Sequence, residues 1–176
     1  MDSDGYLSQL ADIFNGITVN TPSISAIIAI ALAGVLLLAS GFASASEIAF
    51  FSLTPSDRND IDEQNHPSDE KISALLGDSE RLLATILITN NFVNVTIIML
   101  CNFFFMNVFV FHSPLAEFLI LTVILTFLLL LFGEIMPKIY SAQKTLAFCR
   151  FSAPGIYFLE KLFRPVATVL VRSTTF

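Results

Sequence analysis

The sequence predicts an all-α membrane protein with three transmembrane helices and juxtamembrane amphipathic helices. The chain of 176 residues is 55% hydrophobic and only 14% charged, and its mean hydropathy of +0.75 is too high for an ordinary soluble domain. It contains three apolar runs, each at least as long as the roughly 20 residues that a bilayer-spanning helix needs. The net charge of −6, without a basic cluster, argues against nucleic acid as a partner.

The first predicted membrane helix covers about residues 23–53. It follows an extracytoplasmic N-terminal segment, 1–22, which is acidic and lacks the basic region of a cleavable signal peptide. The second half of this helix is rich in small and hydroxyl side chains, which permit close helix packing. The segment 54–79 carries nine charged residues and is expected to lie in water, with a short surface helix over 72–76.

The second and third predicted helices cover about 82–111 and 115–137. The acidic stretch Asp78-Ser79-Glu80 is expected to cap the second helix. The tight link His112-Ser113-Pro114 makes the two helices an antiparallel hairpin. Residues 23–138 therefore form a three-helix transmembrane domain.

Residues 139–176 differ from the membrane runs because charges and prolines interrupt their apolar residues. We expect this juxtamembrane segment to form basic amphipathic helices at the membrane interface. All nine Lys and Arg residues lie after the first helix, at the foot of the second or after the third. The positive-inside rule therefore predicts that the N-terminus lies outside and the C-terminus lies in the cytoplasm.

The third helix ends in the stretch Gly133-Glu134-Ile135-Met136-Pro137-Lys138. A carboxylate at membrane depth costs on the order of 3 kcal/mol and usually has a functional partner. Because Pro137 has no N–H, the carbonyl of Gly133 loses its helical hydrogen bond. A carboxylate beside a free carbonyl suits a hard cation. The alternative is that Glu134 and Lys138, four residues apart, simply neutralise each other.

Polar residues of the other two helices fall at a similar depth. At 1.5 Å per residue, Ser44 lies roughly 13 Å and Glu47 about 9 Å from the cytoplasmic end of the first helix. Asn90 and Asn94 lie about 12–18 Å in and share one helical face. Oxygen ligands without Cys or His favour Mg²⁺, Ca²⁺ or Mn²⁺ over zinc or copper. Taken singly, the asparagines could instead form interhelical hydrogen bonds, and the serines could bond to their own helix.

Three motifs resemble the transmembrane domain of the CNNM/CorC family, the cyclin M proteins and their prokaryotic relatives, which are magnesium transporters. They are a Ser-rich stretch in the first helix (residues 42–49), an asparagine motif in the second (90–94) and Gly-Glu-x-x-Pro-Lys in the third (133–138). The last is the most specific. The second departs from the family pattern because Thr89 stands where relatives commonly have glycine.

The resemblance implies a homodimer in the prokaryotic inner membrane that binds Mg²⁺ in an inward-facing cavity. Its implied ligands are Ser44, Asn90, Asn94, Gly133 and Glu134. Further candidates for ligands or cavity-lining residues are Glu47, Ser46 and Asn91, with Pro137 as a hinge and Lys138 as a charge partner. The family usually continues into cytoplasmic CBS domains that bind nucleotide. The chain lacks these, so it is expected to be the membrane domain alone, with lipid as its surroundings.

The predicted function is Mg²⁺ export from the cytoplasm, with Na⁺ as a candidate coupling ion. An alternative is a cation-sensing or assembly component with the same fold but no transport. An intramembrane enzyme is not favoured, because no histidine lies in a span and Ser44 has no neighbouring base.

Overall fold

The computed structural model describes residues 17–111 and 114–174. Most of the predicted N-terminal segment and the link residues His112 and Ser113 lie outside these ranges. The elements in chain order are β1 (Ile17–Val19), α1 (Ile24–Phe51), α2 (Pro55–Asp62), α3 (Asp69–Leu76), α4 (Ser79–Val108), β2 (Phe109–Phe111), α5 (residues 114–143) and α6 (Thr145–Thr174).

Within the described ranges, three helical stretches are long and apolar enough to cross a membrane. They are Ile24–Phe51 in α1, Ser79–Val108 in α4 and Leu121–Gln143 in α5. The prediction of an all-α membrane protein with three spans is therefore confirmed. Which end of each span faces the cytoplasm stays a prediction.

Side-chain caps determine where the first two spans begin. Ser23 accepts a hydrogen bond from the backbone N–H of Ala26 at 3.2 Å, so α1 starts just after the predicted position. Asp78 accepts from the backbone N–H of Arg81 at 3.2 Å and caps α4. Both caps satisfy N–H groups that a helix start leaves unpaired.

The third span, α5, differs from a regular helix. Its α-helical parts, Pro114–Phe118, Leu125–Leu130 and Met136–Gln143, alternate with π-helical segments at Leu119–Ile124 and Leu131–Ile135. The sequence predicts an end near 137, but the helix continues to Gln143. Pro137 is tolerated because it stands in the first turn after a π-helical segment, where the regular bonding pattern is already interrupted.

A two-stranded antiparallel sheet, which the sequence analysis did not predict, closes one end of the bundle. β1 pairs with β2 in the register Ile17 to Phe111 and Val19 to Phe109. The backbone N–H of Asn20 also donates to the carbonyl of Val108 at 2.7 Å. These bonds join the segment before α1 to the end of α4.

Two apolar clusters hold the helices together. The membrane cluster joins α1, α4 and α5 through Ala33, Val93, Ile97, Cys101 and Leu129. The junction cluster joins the other end of α1 to α2, α3, α4 and α6. Its buried members are Ala49, Phe50, Ile61, Ile72, Leu75, Leu82, Ile86, Cys149, Ala153 and Ile156.

The last helix, α6, contains Pro154 and Pro165 and contacts both α1 and α4. It is close to α1 at Gly155, where an added Cβ would lie 3.0 Å from the ring of Phe42. The sequence predicts amphipathic helices over 139–176. The structure places α5 up to Gln143 and one long helix after it, and the position of that helix at the membrane interface stays a prediction.

A bidentate ion pair fastens α3 to α6. Arg150 donates from Nε to Asp69 Oδ1 at 2.8 Å and from Nη2 to Asp69 Oδ2 at 3.0 Å. The Asp69 side chain is fully buried, and its Oδ2 also accepts from the backbone N–H of His66. Burial raises the pKa of Asp69, but the hydrogen bonds from Arg150 and His66 outweigh burial and hold that pKa below its ordinary value.

The Asp69–Arg150 pair predicts how stability depends on pH. Because the pKa of Asp69 is lower in the folded state, the pair stabilises the fold above the unfolded pKa of about 4. That contribution is lost as the pH falls below about 4 and through the folded value. We expect Asp69→Asn to lower the free energy of unfolding at pH 7 by about 2–3 kcal/mol. The unfolding temperature of this variant should also fall less steeply as the pH is lowered below about 4.

The matched control is Asp62→Asn, since Asp62 is exposed at the end of α2. It should leave the unfolding temperature in detergent within about 1–2 °C of the unmodified chain at pH 7. Equal unfolding temperatures for the Asp69 variant and the unmodified chain at neutral pH would contradict the stabilising role of the pair.

Candidate cation site

Ser40 of α1 is fully buried and lies at the centre of a group of oxygen atoms in the membrane domain, the oxygen cluster. Its Oγ lies 2.8 Å from Asn90 Oδ1 and 2.7 Å from Asn94 Oδ1, both on α4. It also lies 3.5 Å from the carbonyl oxygen of Gly133 in the second π-helical segment of α5. Oxygens from all three spans therefore meet at one point.

This arrangement has more acceptors than hydrogens. A serine hydroxyl carries one hydrogen and donates one full hydrogen bond. Three acceptor oxygens surround that hydroxyl, so the hydrogen satisfies only part of them. The cluster is an electron-rich pocket of oxygens of the kind that binds hard cations.

A carboxylate adjoins the cluster. The side-chain nitrogen of Asn94 donates to Glu134 Oε1 at 3.2 Å. This bond fixes the orientation of the Asn94 amide, with its oxygen toward Ser40 and its nitrogen toward Glu134. Both side chains are partly buried, so the charge lies beside the oxygen cluster without being fully desolvated.

Two glycines allow α1 and α5 to approach each other at the cluster. A Cβ added at Gly133 would lie 3.2 Å from Ser40 Oγ, and one added at Gly41 would lie 3.0 Å from Pro137 Cγ. Larger residues at either position would push the helices apart or move Ser40. The close approach brings the Gly133 carbonyl, to which Pro137 has no N–H to donate, to 3.5 Å from Ser40 Oγ.

Ser44, the predicted serine ligand, lies one turn along α1 from Ser40. It is fully buried, and its Oγ has no hydrogen-bond partner within the described part of the chain. A buried hydroxyl without a partner loses the hydrogen bond that water would provide. Ser44 therefore holds an unsatisfied oxygen near the cluster but does not contact Asn90 or Asn94 in the way that Ser40 does.

The remaining candidates have separate environments. Ser46 donates to the carbonyl of Phe42 in its own helix at 2.6 Å, and Asn91 is exposed beside the site's Asn90. Glu47 pairs with Lys138, with 3.1 Å between Oε2 and Nζ. The sequence suggested Lys138 as the partner of Glu134, but its ammonium group pairs with Glu47 instead.

The donor set determines which ions the site suits. No group of three or more His, Cys, Asp or Glu side chains capable of holding a metal occurs within residues 17–111 and 114–174. The site instead combines hydroxyl, amide and backbone oxygens with one carboxylate. Oxygen ligands of this kind suit Mg²⁺, Ca²⁺ or Mn²⁺ rather than soft transition metals.

Sequence reasoning missed Ser40. A serine followed by glycine in an apolar run, one turn before the predicted Ser44, was the available signal. Depth counting could not separate the two serines, because adjacent turns differ by only about 5 Å.

Comparison with known proteins agrees with this architecture. Residues 30–176 match the family model of the cyclin M transmembrane N-terminal domain. A UPF0053 protein of Haemophilus influenzae is 30% identical over 136 residues, which cover 77% of this chain and 31% of the relative. A UPF0053 protein of Synechocystis is 26% identical over 140 residues, covering 80% of this chain and 39% of the relative.

The chain thus spans about a third of the length of the curated relatives that it matches. The family model extends over most of the chain, including α4, α5, α6 and α1 from residue 30 onward. The predicted family resemblance is confirmed: the chain belongs to the cyclin M transmembrane N-terminal domain family.

Proposed function

We propose that this chain is the membrane domain of a divalent-cation transporter and that Mg²⁺ is its substrate. The observation that carries the proposal is the convergence of the Asn90, Asn94 and Gly133 oxygens on the single hydroxyl of Ser40. A cation placed among them would satisfy the acceptor oxygens that one hydrogen cannot. Glu134 supplies a negative charge beside them.

Binding in this proposal exchanges hydration waters for protein oxygens. Mg²⁺ takes six oxygen ligands and gives up its waters reluctantly, so it keeps some of them in most protein sites. Ser40, Asn90, Asn94 and Gly133 supply neutral oxygens, and Glu134 supplies the charge. A site with a single carboxylate suits transport, because a substrate must leave as well as bind.

Ser44 has a distinct role in this scheme. Its unpartnered hydroxyl lies one turn from Ser40, toward the end of α1 that adjoins α2 and α3. It is the ligand that a cation meets on its way from that end to the cluster. Glu47 lies nearer that end of α1 than Ser44 does. Its ion pair with Lys138 joins α1 to α5 beside the route.

The charge asymmetry supports the orientation in this proposal, and export is the direction that we propose. The end with α2, α3 and the start of α6 carries the basic residues, which assigns it to the cytoplasm. The proposed cycle exports Mg²⁺ from that side, with Na⁺ as the coupling ion, in a homodimer of the bacterial cytoplasmic membrane. Pro137 and the adjoining π-helical segment Leu131–Ile135 provide the hinge.

The site is tested by cation binding. In isothermal titration of the purified chain with Mg²⁺, we expect Ser40→Ala, Asn94→Ala and Glu134→Gln each to weaken binding by about tenfold or more, as the loss of a ligand would. Ser44→Ala should weaken it less, because that hydroxyl lies outside the cluster. Titrations with Ca²⁺ and Mn²⁺ then give the selectivity.

Asn91→Ala and Ser46→Ala are matched controls for these substitutions. Asn91 is an exposed neighbour of Asn90, and Ser46 bonds to its own helix, so neither should change the Mg²⁺ affinity. Unaltered binding in both the Asn94 and the Glu134 variants would refute the site.

Flux separates a transporter from a cation sensor. We expect proteoliposomes that contain the chain to release trapped Mg²⁺, measured with an external fluorescent indicator, and Glu134→Gln to abolish the release. Asn91→Ala should retain it, and Na⁺ on the opposite side should accelerate it. Mg²⁺ binding without Glu134-dependent flux would favour the sensing component instead.

The Glu47–Lys138 pair is expected to tune affinity. Lys138→Gln removes a positive charge near the site and leaves Glu47 unneutralised. We expect Mg²⁺ binding to tighten by roughly 3–10-fold, which corresponds to about 0.7–1.4 kcal/mol of Coulomb attraction. Titration at low and high salt measures the effect, which should shrink as ionic strength rises.

The double variant Glu47→Gln, Lys138→Gln has the same net charge as the unmodified pair and serves as the control. Its affinity should return close to the original value if charge is the cause. An equally tight double variant would show that altered packing, and not charge, produced the change.

A further inference from the structure

An apolar groove lies on the membrane domain between α1, α5 and α6. It has a volume of about 530 Å³ and is lined by, among others, Leu38, Gly41, Phe132, Pro137, Phe148 and Phe151. That volume is within the range of about 300–1,000 Å³ that is typical of small-molecule sites. The groove lies outside the oxygen cluster, although Gly41 and Pro137 form part of its wall.

Aromatic rings in mutual contact form part of the groove wall. Phe148 packs against Phe42 and Phe151, with ring centroids 6.3 and 5.8 Å apart, and the pair Phe42–Phe151 is 6.2 Å apart. Gly155 fits closely against Phe42. Rings that already pack against one another lose little further freedom on binding, which favours an apolar ligand.

One end of the groove is cationic. A second cavity of about 290 Å³ shares Tyr140, Phe148 and Phe151 with the groove and adds Lys144 to its lining. Lys144 is exposed and forms no ion pair with any described residue. It stands directly before the first turn of α6, where the helix dipole also favours negative charge.

The spacing along the chain between Phe132 of the groove and Lys144 of the second cavity is close to the depth that a lipid chain occupies in one leaflet. Phe132 and Lys144 are separated by about 18 Å along a helix at 1.5 Å per residue, and one leaflet of the hydrocarbon core is about 15 Å thick. A phospholipid whose phosphate meets Lys144 would therefore place one acyl chain along the groove.

The concave shape favours a lipid over a second copy of the chain. A twofold dimer brings the same surface patch of each copy together, and two facing grooves would leave a void. Leu38 is 76% exposed and Phe151 is 71% exposed at the rim. In a membrane, such a surface is in contact with acyl chains.

We infer that this groove is a binding site for an anionic glycerophospholipid, with one acyl chain between α1, α5 and α6 and the phosphate on Lys144. The site does not depend on cation transport. Occupancy would brace Pro137 and α6 from the lipid side, so lipid composition would act on the same helix that carries Gly133 and Glu134.

The chain contains no tryptophan, so a single introduced tryptophan reports on its own surroundings. Leu38→Trp places the reporter at the groove rim. Phe92→Trp is the matched control, because Phe92 is 65% exposed on α4 and lies at the same depth, between the asparagines that meet Ser40. The probe is phosphatidylglycerol or phosphatidylcholine, brominated in the acyl chains, at equal mole fractions in reconstituted vesicles.

We expect phosphatidylglycerol to quench the fluorescence of the Leu38→Trp variant with an apparent affinity about fivefold above that of phosphatidylcholine, the effect of one lysine on an anionic headgroup. Lys144→Gln in the Leu38→Trp background should remove that preference. Lys161→Gln should retain it, because Lys161 of α6 lines neither cavity and lies over the ring of Tyr157. The Phe92→Trp variant should show no preference between the two lipids.

Three results would overturn the inference. The first is equal quenching of the Leu38→Trp variant by both lipids, and the second is a preference that survives Lys144→Gln. The third is the absence of quenching by either lipid in the Leu38→Trp variant while the Phe92→Trp variant is quenched. That third result would mean that protein, such as a second copy, covers the groove.

Discussion

A single hydroxyl hydrogen faces three acceptor oxygens at the centre of this membrane domain, and the geometry of the spans depends on that contact. Ser40 brings α1 within 2.7–2.8 Å of two amide oxygens of α4 and within 3.5 Å of a backbone oxygen of α5. Polar groups away from water need partners, so these oxygens fix the relative positions of the helices. Gly41 and Gly133 keep the neighbouring backbone close enough for the contact to form.

Much of this arrangement could be predicted because it follows from local chemistry. Long apolar runs determine the number of spans, and Asp78 marks a helix start because its side chain satisfies a free N–H. Helical periodicity places Asn90 and Asn94 on one face. Pro137 has no N–H to donate to the carbonyl of Gly133, four residues before it. Each of these inferences uses the residues of a single helix and needs no knowledge of how the helices pack.

The features that the sequence could not reveal depend on packing. Whether Ser40 or Ser44 meets the asparagines is decided by the register between α1 and α4, and one turn separates the two answers. Spacing along α5 suggested that Lys138 would neutralise Glu134. In the structure, the ammonium group of Lys138 pairs with Glu47 of α1. The β1–β2 pairing joins residues 90 to 94 positions apart, and its short strands have no periodicity that could reveal a partner.

The three spans around the site differ in how much of each is buried and in how regular its backbone hydrogen bonding is. α1 and α4 are continuous α-helices that also pack in the junction cluster. In an apolar 18-residue stretch of each span, the buried share is 11% for α5, compared with 33% for α1 and 39% for α4. In addition, π-helical segments interrupt α5. Few packing contacts and interrupted backbone bonding lower the cost of rearrangement. Because α5 carries the Gly133 carbonyl and the Glu134 carboxylate, a shift of α5 would move these two groups relative to Ser40, Asn90 and Asn94.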